Sequence, residues 1–226
     1  AGDSLRWLDW RLTARHPRKF FTKEFEQEEI ADIGLILDAR QKTNLQIGEE
    51  SLVEHGISAT ASLAEMFLHQ GHRVSMLVFG KNILNVYPDY GKIQLNRIMR
   101  ALSGVSISPD GSLDSLEFIP IRLFPNRALI IIISPLALND ITLFPRLRAY
   151  GYQVLLISPD PLDFAATTFD SSPETRLALR AAALERRLCL RNITRLQIPV
   201  INWQVNKQAL YPLVREALSR SHSQWQ

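Results

Sequence analysis

Short apolar runs separated by amphipathic helical segments constrain the fold of this 226-residue chain more than any other feature. The strongest run, residues 128–134, includes four consecutive isoleucines, and a second run, residues 33–37, ends at Asp38. A strand that is apolar at every position is typical of a parallel sheet covered on both faces. The sequence therefore predicts an α/β fold, a doubly wound and mainly parallel sheet with helices on both faces. These two runs should be adjacent central strands.

The rest of the chain continues the alternation of strand and helix. Further strands are predicted at residues 74–79, 84–87, 153–158 and 200–205, and helices at residues 50–69, 92–102, 143–150, 173–196 and 209–219. A chain of this length buries about 70% of its unfolded surface, so one large core is expected. We predict an N-terminal arm and strand at residues 1–30, one domain at residues 31–222 and a disordered tail at residues 223–226.

Composition argues against several classes of protein. The formal charge is only +3, which is too small to indicate nucleic-acid binding by itself. The single cysteine, Cys189, excludes an internal disulfide and a multi-cysteine metal site, and its apolar neighbours predict a buried, inert thiol. No apolar run is long enough to span a membrane. The chain begins without a methionine or a signal peptide, so we expect it to be a fragment of a longer protein.

The first fifteen residues carry a distinctive pattern, G-D-x-x-R-x-L-D-W-x-x-T-A-R, from Gly2 to Arg15. It resembles the G-D-x-x-R-x-I-D-W-x-x-T-A-R signature of the domain-of-unknown-function 58 family. In that family the signature runs directly into a von Willebrand factor A-like domain and usually follows two membrane helices. The resemblance implies such a domain here, located in the cytoplasm or at the cytoplasmic face of the membrane in the full-length protein. We expect Trp7, Trp10 and Phe21 to pack onto the main domain as a structural clasp.

The resemblance also implies where a metal site would lie. In the family the first core strand ends in a D-x-S-x-S metal-binding motif, whereas this chain reads D-A-R-Q-K from Asp38 onward, with Arg40 and Lys42 in place of both serines. No acid directly follows the strong strand, which ends at Ser134, so only Asp38 and Ser112 remain as oxygen donors. A unit positive charge at ~4 Å from a dication costs about 8 kcal/mol at an effective dielectric constant near 20. We therefore predict a degenerate site with no metal, and no cofactor.

Ligands of doubly wound sheets bind beyond the carboxyl ends of the strands. The residues predicted to form a partner-binding rim there are Asp38, Arg40, Lys42, Ser112 and Ser134. The favoured function is protein–protein interaction without catalysis, in which Arg40 and Lys42 replace the metal and engage a partner carboxylate directly. The resemblance implies a MoxR-type AAA+ ATPase as the partner, in the assembly or maturation of other complexes.

One alternative is an enzyme that uses Asp38, Asp140 and Asp160 around the switch point of the sheet. The chain has no G-x-G-x-x-G, no G-x-x-x-x-G-K-[ST] and no G-x-S-x-G motif, which argues against nucleotide binding and covalent hydrolysis.

A second alternative is a membrane-surface module built on the long helix predicted at residues 173–196. Four arginines occur there at helical spacing: Arg176, Arg180, Arg187 and Arg191. The residues of the adjacent apolar stripe are Leu177, Ala181, Leu184 and Leu188. This basic face is either a solvated surface or a docking face for an acidic partner or anionic lipid headgroups.

Overall fold

A computed structural model of the chain describes residues 30–107, 115–166, 168–169 and 172–222. The predicted arm, with its aromatic clasp and the family-like signature, lies outside the described residues, as do Ser112 and the predicted tail at residues 223–226. None of the helices in the described ranges is both long enough and apolar enough to span a bilayer.

The domain is organised around a six-stranded sheet in the order β5-β4-β1-β6-β7-β8. The strands are β1 (Asp32–Asp38), β2 (Gln46–Ile47), β3 (Glu50–Ser51), β4 (Arg73–Phe79), β5 (Ile83–Asp89), β6 (Leu129–Ile133), β7 (Gln153–Pro159) and β8 (Val200–Trp203). Within the sheet all neighbours are parallel except β4 and β5, which pair antiparallel. β2 and β3 form a separate two-stranded antiparallel ladder. The predicted doubly wound, mainly parallel sheet is confirmed.

Helices cover both faces of the sheet. They are α1 (Leu52–His69), α2 (Gly91–Ser103), α3 (Leu143–Ala149), α4 (Pro161–Phe164), α5 (Pro173–Arg195) and α6 (Leu210–His222), with short 3-10 helices at Gln41–Thr43, Leu116–Phe118, Ile121–Leu123 and Leu138–Thr142. The start of α1 falls at Leu52, later than predicted, because the Ser51 hydroxyl accepts a hydrogen bond from the Glu54 N–H and caps the helix. Ser172 caps α5 in the same way through the Thr175 N–H.

The alternation of side chains along β1 explains why it is central. Ile33, Leu35 and Leu37 contribute to the core beneath α1, α2 and α6, whereas Ile36 contributes to the opposite core beneath α3 and α5. β1 pairs in parallel with β4 on one side and with β6 on the other. The prediction that residues 33–37 and 128–134 form adjacent central strands is confirmed. Their apolar character at every position follows from burial on both faces.

Gly34 is the one small residue in the core of β1, and the packing of Phe124 requires it. A Cβ at this position would lie 2.5 Å from Phe124 Cδ1 and 2.7 Å from Ile130 Cδ1. Both of these side chains are buried, so neither can move away without disturbing the core on the α3 side.

We expect Gly34→Ala to lower the free energy of unfolding by about 1–3 kcal/mol, because the added methyl group overpacks the core. Replacing Phe124 with leucine in the same chain should recover part of that loss. Gly104→Ala is the matched control, since its Cβ would meet only ordinary contacts at 3.6 Å or more. Urea unfolding of the variants measures the effect, and equal stabilities for Gly34→Ala and Gly104→Ala would contradict this packing.

Candidate functional site

The candidate site lies at the carboxyl edge of the sheet, where several strands end in polar residues. Asp38 is the last residue of β1, Ser134 follows β6, and Asp160 follows β7. Backbone hydrogen bonds extend the ladders past the strand ends and fix these positions: Ser134 N donates to Ile157 O at 3.1 Å, and Asp160 N donates to Trp203 O at 2.8 Å. The edge is therefore a rigid platform rather than a set of independent loops.

The guanidinium of Arg40 is clamped between two carboxylates. Its Nε donates to Asp38 Oδ1 at 2.8 Å and its Nη2 donates to Asp38 Oδ2 at 2.7 Å. Toward Asp140, Nη1 donates to Oδ1 at 2.9 Å and Nη2 donates to Oδ2 at 2.6 Å. Both contacts are bidentate, the arrangement in which charge-assisted hydrogen bonds are strongest. The side chains of the three residues are between 0% and 3% exposed, so this ion-paired cluster is shielded from water.

Further donors satisfy the remaining carboxylate lone pairs. The Ser134 hydroxyl donates to Asp38 Oδ2 at 2.6 Å. Asp140 also accepts from two backbone N–H groups, that of Ala137 at 2.7 Å and that of Leu116 at 3.2 Å. Asp140 therefore joins the loop after β6 to the segment that precedes this strand. We call Asp38, Arg40, Ser134 and Asp140 the Arg40 cluster.

The charges in the Arg40 cluster stabilise each other. Burial by itself lowers the pKa of the Arg40 guanidinium, but hydrogen bonds and Coulombic attraction from Asp38 and Asp140 outweigh it and raise the pKa above its ordinary value. The ring of Phe79 adds a cation–π contact, 5.9 Å from the guanidinium carbon to the ring centroid. Arg40 therefore remains a permanent cation in the place where a divalent ion would have to bind both carboxylates. The residues present do not fit such an ion.

A second arginine closes the neighbouring part of the edge. Arg186 projects from the inner side of α5, and its Nη1 donates to Pro135 O at 3.0 Å. Its Nη2 donates to Pro159 O at 3.0 Å and to Asn202 Oδ1 at 2.7 Å, while its Nε lies 3.4 Å from Asp160 Oδ1. Burial lowers the pKa of Arg186, and the attraction of Asp160 offsets part of this effect. Arg186 thus links the ends of β6, β7 and β8 to α5.

A cavity of about 180 Å³ lies beside Arg186, between α5 and the loops after β6 and β7. Apolar groups form most of its lining, with Leu136, Leu162 and Cys189 among them. Cys189 is half-buried rather than fully buried as predicted. Burial raises the pKa of its thiol against the opposing effect of Arg186, so the thiol is a poor nucleophile.

The structure brings together only some of the residues predicted to form the rim. Asp38, Arg40 and Ser134 meet in the buried Arg40 cluster, whereas Lys42 is exposed on the 3-10 helix Gln41–Thr43. Ser112 lies outside the described ranges. The carboxylate partners of Arg40 in this structure belong to the same chain, so its predicted contact with a partner carboxylate would have to displace one of them.

The sequence analysis named Asp140 only as an acid of the enzyme alternative, and it did not name Arg186 at all. The expectation that only Asp38 and Ser112 remain as oxygen donors is wrong, because Asp140, six residues beyond Ser134, folds back through the 3-10 helix Leu138–Thr142 and lies beside Arg40. Arg186 was not among the arginines of the predicted basic face. One signal could have identified it: Arg186 is in helical register with Ala182, Cys189 and Ile193, the buried side of α5, not with the exposed arginines.

Comparisons with known proteins give a family match and several distant structural similarities. A family model described as "Protein of unknown function DUF58" matches residues 1–162. BatB from Bacteroides thetaiotaomicron, a conserved hypothetical protein, is 16% identical with a TM-score of 0.37, and the alignment covers 57% of this chain and 66% of BatB, just under two thirds of it. An aerotolerance-related membrane protein from Bacteroides fragilis NCTC 9343, solved with multiple mutations to serines, is 12% identical with a TM-score of 0.41 over 79% of this chain and 100% of that one. No curated protein matches the sequence.

We expect Arg40→Met to lower the free energy of unfolding by about 3–5 kcal/mol, because it leaves two buried carboxylates without a counter-charge. Combining it with Asp38→Asn and Asp140→Asn should recover a large part of that loss, since the triple variant buries no unpaired charge. Lys42→Met, which removes an exposed cation two residues away, should change stability by less than about 0.5 kcal/mol. Denaturant unfolding provides the measurement, and an Arg40→Met variant as stable as Lys42→Met would show that the cluster does not hold the edge together.

Proposed function

The chain belongs to the DUF58 family, and we propose that it is a non-catalytic protein–protein interaction domain with a degenerate metal-ion-dependent adhesion site. The family is described only as being of unknown function, so the support for this proposal comes from the site itself. The proposal concerns the carboxyl edge of the sheet and the exposed residues around it.

The observation that carries the proposal is the pairing of every acid considered for catalysis with an arginine that is buried or largely shielded from water. Asp38 and Asp140 are clamped by Arg40, and Asp160 lies beside Arg186. General acid–base catalysis needs a carboxyl group that can reach a substrate and exchange a proton with it. Carboxylates held by permanent cations are unsuited to this role, which favours an interaction domain over an enzyme that uses these three acids.

The assignment as a von Willebrand factor A-like domain is part of the same proposal. Its support is the position of Asp38 at the carboxyl end of a central strand, together with the single antiparallel strand at the edge of an otherwise parallel sheet. In this interpretation Arg40, in place of the first serine of the former metal motif, supplies internally the positive charge that a metal ion provides in the family. The site is then fixed in one charge state and does not depend on an ion.

Exposed lysines at the edge offer the contact surface. Lys42 follows β1 and Lys81 follows β4, and both are exposed. Gly80 lies against Ala39, so the two loops run side by side at this edge. We propose that these lysines attract an acidic surface of the partner while the Arg40 cluster holds their loops in place from below. Charges at the margin of an interface mainly accelerate and orient association.

The proposed partner is a MoxR-type AAA+ ATPase, as the family resemblance implies. The proposed location is the cytoplasm, or the cytoplasmic face of the membrane if the chain is part of a longer, membrane-anchored protein. The exposed side chains of Lys42 and Lys81 are compatible with an acidic docking surface on such an ATPase.

The experiment measures binding of this chain to the purified MoxR-type ATPase of the same organism by biolayer interferometry. Lys42→Glu/Lys81→Glu should weaken binding by about tenfold or more, mainly through slower association, because two attractive charges become repulsive. Lys92→Glu/Arg100→Glu reverses two exposed charges on α2 and is the matched control, for which we expect little change. Absence of binding, or the same loss in both double variants, would refute a partner site at the rim.

A further inference from the structure

The outer side of α5 combines exposed leucines with arginines, and neither set is used by the proposed partner site. Leu177 is 68% exposed, and Leu184 and Leu188 are each 56% exposed. Spacings of seven and four residues place them in one stripe along about 16 Å of helix. The side of α5 that faces the core contains Ile193 and the cavity-lining residues, so the leucine stripe faces away from the domain.

Four exposed arginines flank this stripe: Arg176, Arg180, Arg187 and Arg191. In a helical projection at about 100° per residue they occupy a single arc of about 60° directly beside the leucines. None of them forms an ion pair with any residue in the described ranges. We call these four arginines and the three leucines the α5 face.

Acidic residues on α5 do not neutralise this surface. The helix carries only two, Glu174 in its first turn and Glu185, which lines the cavity beside Arg186. Both lie on the opposite flank of the leucine stripe from the arginines in the helical projection. The positive charge of the α5 face is therefore available to an external anion.

We propose that the α5 face docks on the surface of an anionic lipid bilayer, with α5 parallel to the membrane plane. A helix with an apolar stripe beside a row of arginines has the composition of helices that lie in the interface, with their aliphatic side chains among the lipid chains and their cations at the headgroups. Basic residues near a membrane add attraction to anionic lipids charge by charge. This docking is independent of the proposed protein partner, which uses the rim.

Two other occupants fit the α5 face less well. A second copy packed antiparallel on the leucine stripe would bring the arginine rows of the two α5 helices together, and the like charges would repel each other. A stable protein partner needs about 800 Å² of contact on each side, which is more than three half-exposed leucines provide. A bilayer needs no matching shape and attracts all four arginines at once.

The test measures binding of the 226-residue chain to phosphatidylcholine vesicles with and without about one third phosphatidylglycerol, by co-sedimentation at moderate salt. Binding should require phosphatidylglycerol and decrease as salt is added. Arg180→Gln/Arg187→Gln should reduce partitioning by about 30-fold. Arg100→Gln/Arg215→Gln removes the same charge from exposed positions on α2 and α6 and should change partitioning by less than about twofold.

A second pair of substitutions tests the apolar contribution. Leu177→Gln/Leu184→Gln should reduce partitioning by about tenfold while leaving the melting temperature unchanged, because both side chains are more than half exposed in the folded domain. Three outcomes would overturn the proposal: no binding to the anionic vesicles, equal losses in the α5 and control arginine variants, or a dimer by sedimentation equilibrium that only the leucine variants dissociate. The binding assay with the ATPase is unaffected by any of these results, so the two proposals can fail separately.

Discussion

The ion-paired contact of Arg40 with Asp38 and Asp140 is the interaction on which the functional end of this domain depends. One guanidinium joins the last residue of β1 to the 3-10 helix that follows β6, and all three side chains are buried. A buried charge without a partner costs several kcal/mol, so none of the three can be removed alone without penalty. The cluster therefore fixes the conformation of the loops around it. It also fixes the position of exposed residues in those loops, such as Lys42, which lies two residues after Arg40.

Arg40 and Arg186 together change what the carboxyl edge of the sheet can do. In doubly wound sheets this edge usually forms a crevice that holds a ligand. Here Arg40 fills the part between β1 and β6, and Arg186 fills the part between β6 and β8 with hydrogen bonds to loop carbonyls and to Asn202. Binding is then expected on outward-facing surfaces. The rim with Lys42 and Lys81 and the α5 face are two such surfaces, with different chemistry and different proposed occupants.

The architecture could be predicted from the sequence because its two central strands, within residues 33–37 and 128–134, carry no polar side chain before the strand ends. Such runs are typical of strands buried on both faces, so they indicate both the parallel sheet and the central place of these strands. The side-chain contacts at the edge could not be predicted in the same way. Asp140 reaches Arg40 across a separation of 100 residues, and no local pattern records that contact.

The long helix shows a second limit of sequence patterns. Its residues form two stripes with helical spacing, one of leucines and one that contains Ala182, Cys189 and Ile193. Apolarity alone favours the leucine stripe as the core side. The structure instead directs the stripe with Ala182, Cys189 and Ile193 toward the sheet, and Arg186 on the same side of the helix reaches the strand ends. Gly34 is a related case, because only the contact with Phe124 explains why the core of β1 has a residue without a side chain.

The most direct measurement of the central claim is titration calorimetry with magnesium, manganese and calcium on the wild-type chain and on Arg40→Ser. If the Arg40 guanidinium takes the place of a cation, the wild-type chain shows no saturable binding at millimolar metal. The Arg40→Ser variant should gain a saturable site, because Asp38, Asp140 and the Ser134 hydroxyl then present oxygen ligands with no internal cation between them. A micromolar site in the wild-type chain that disappears in Asp38→Ala would contradict this account.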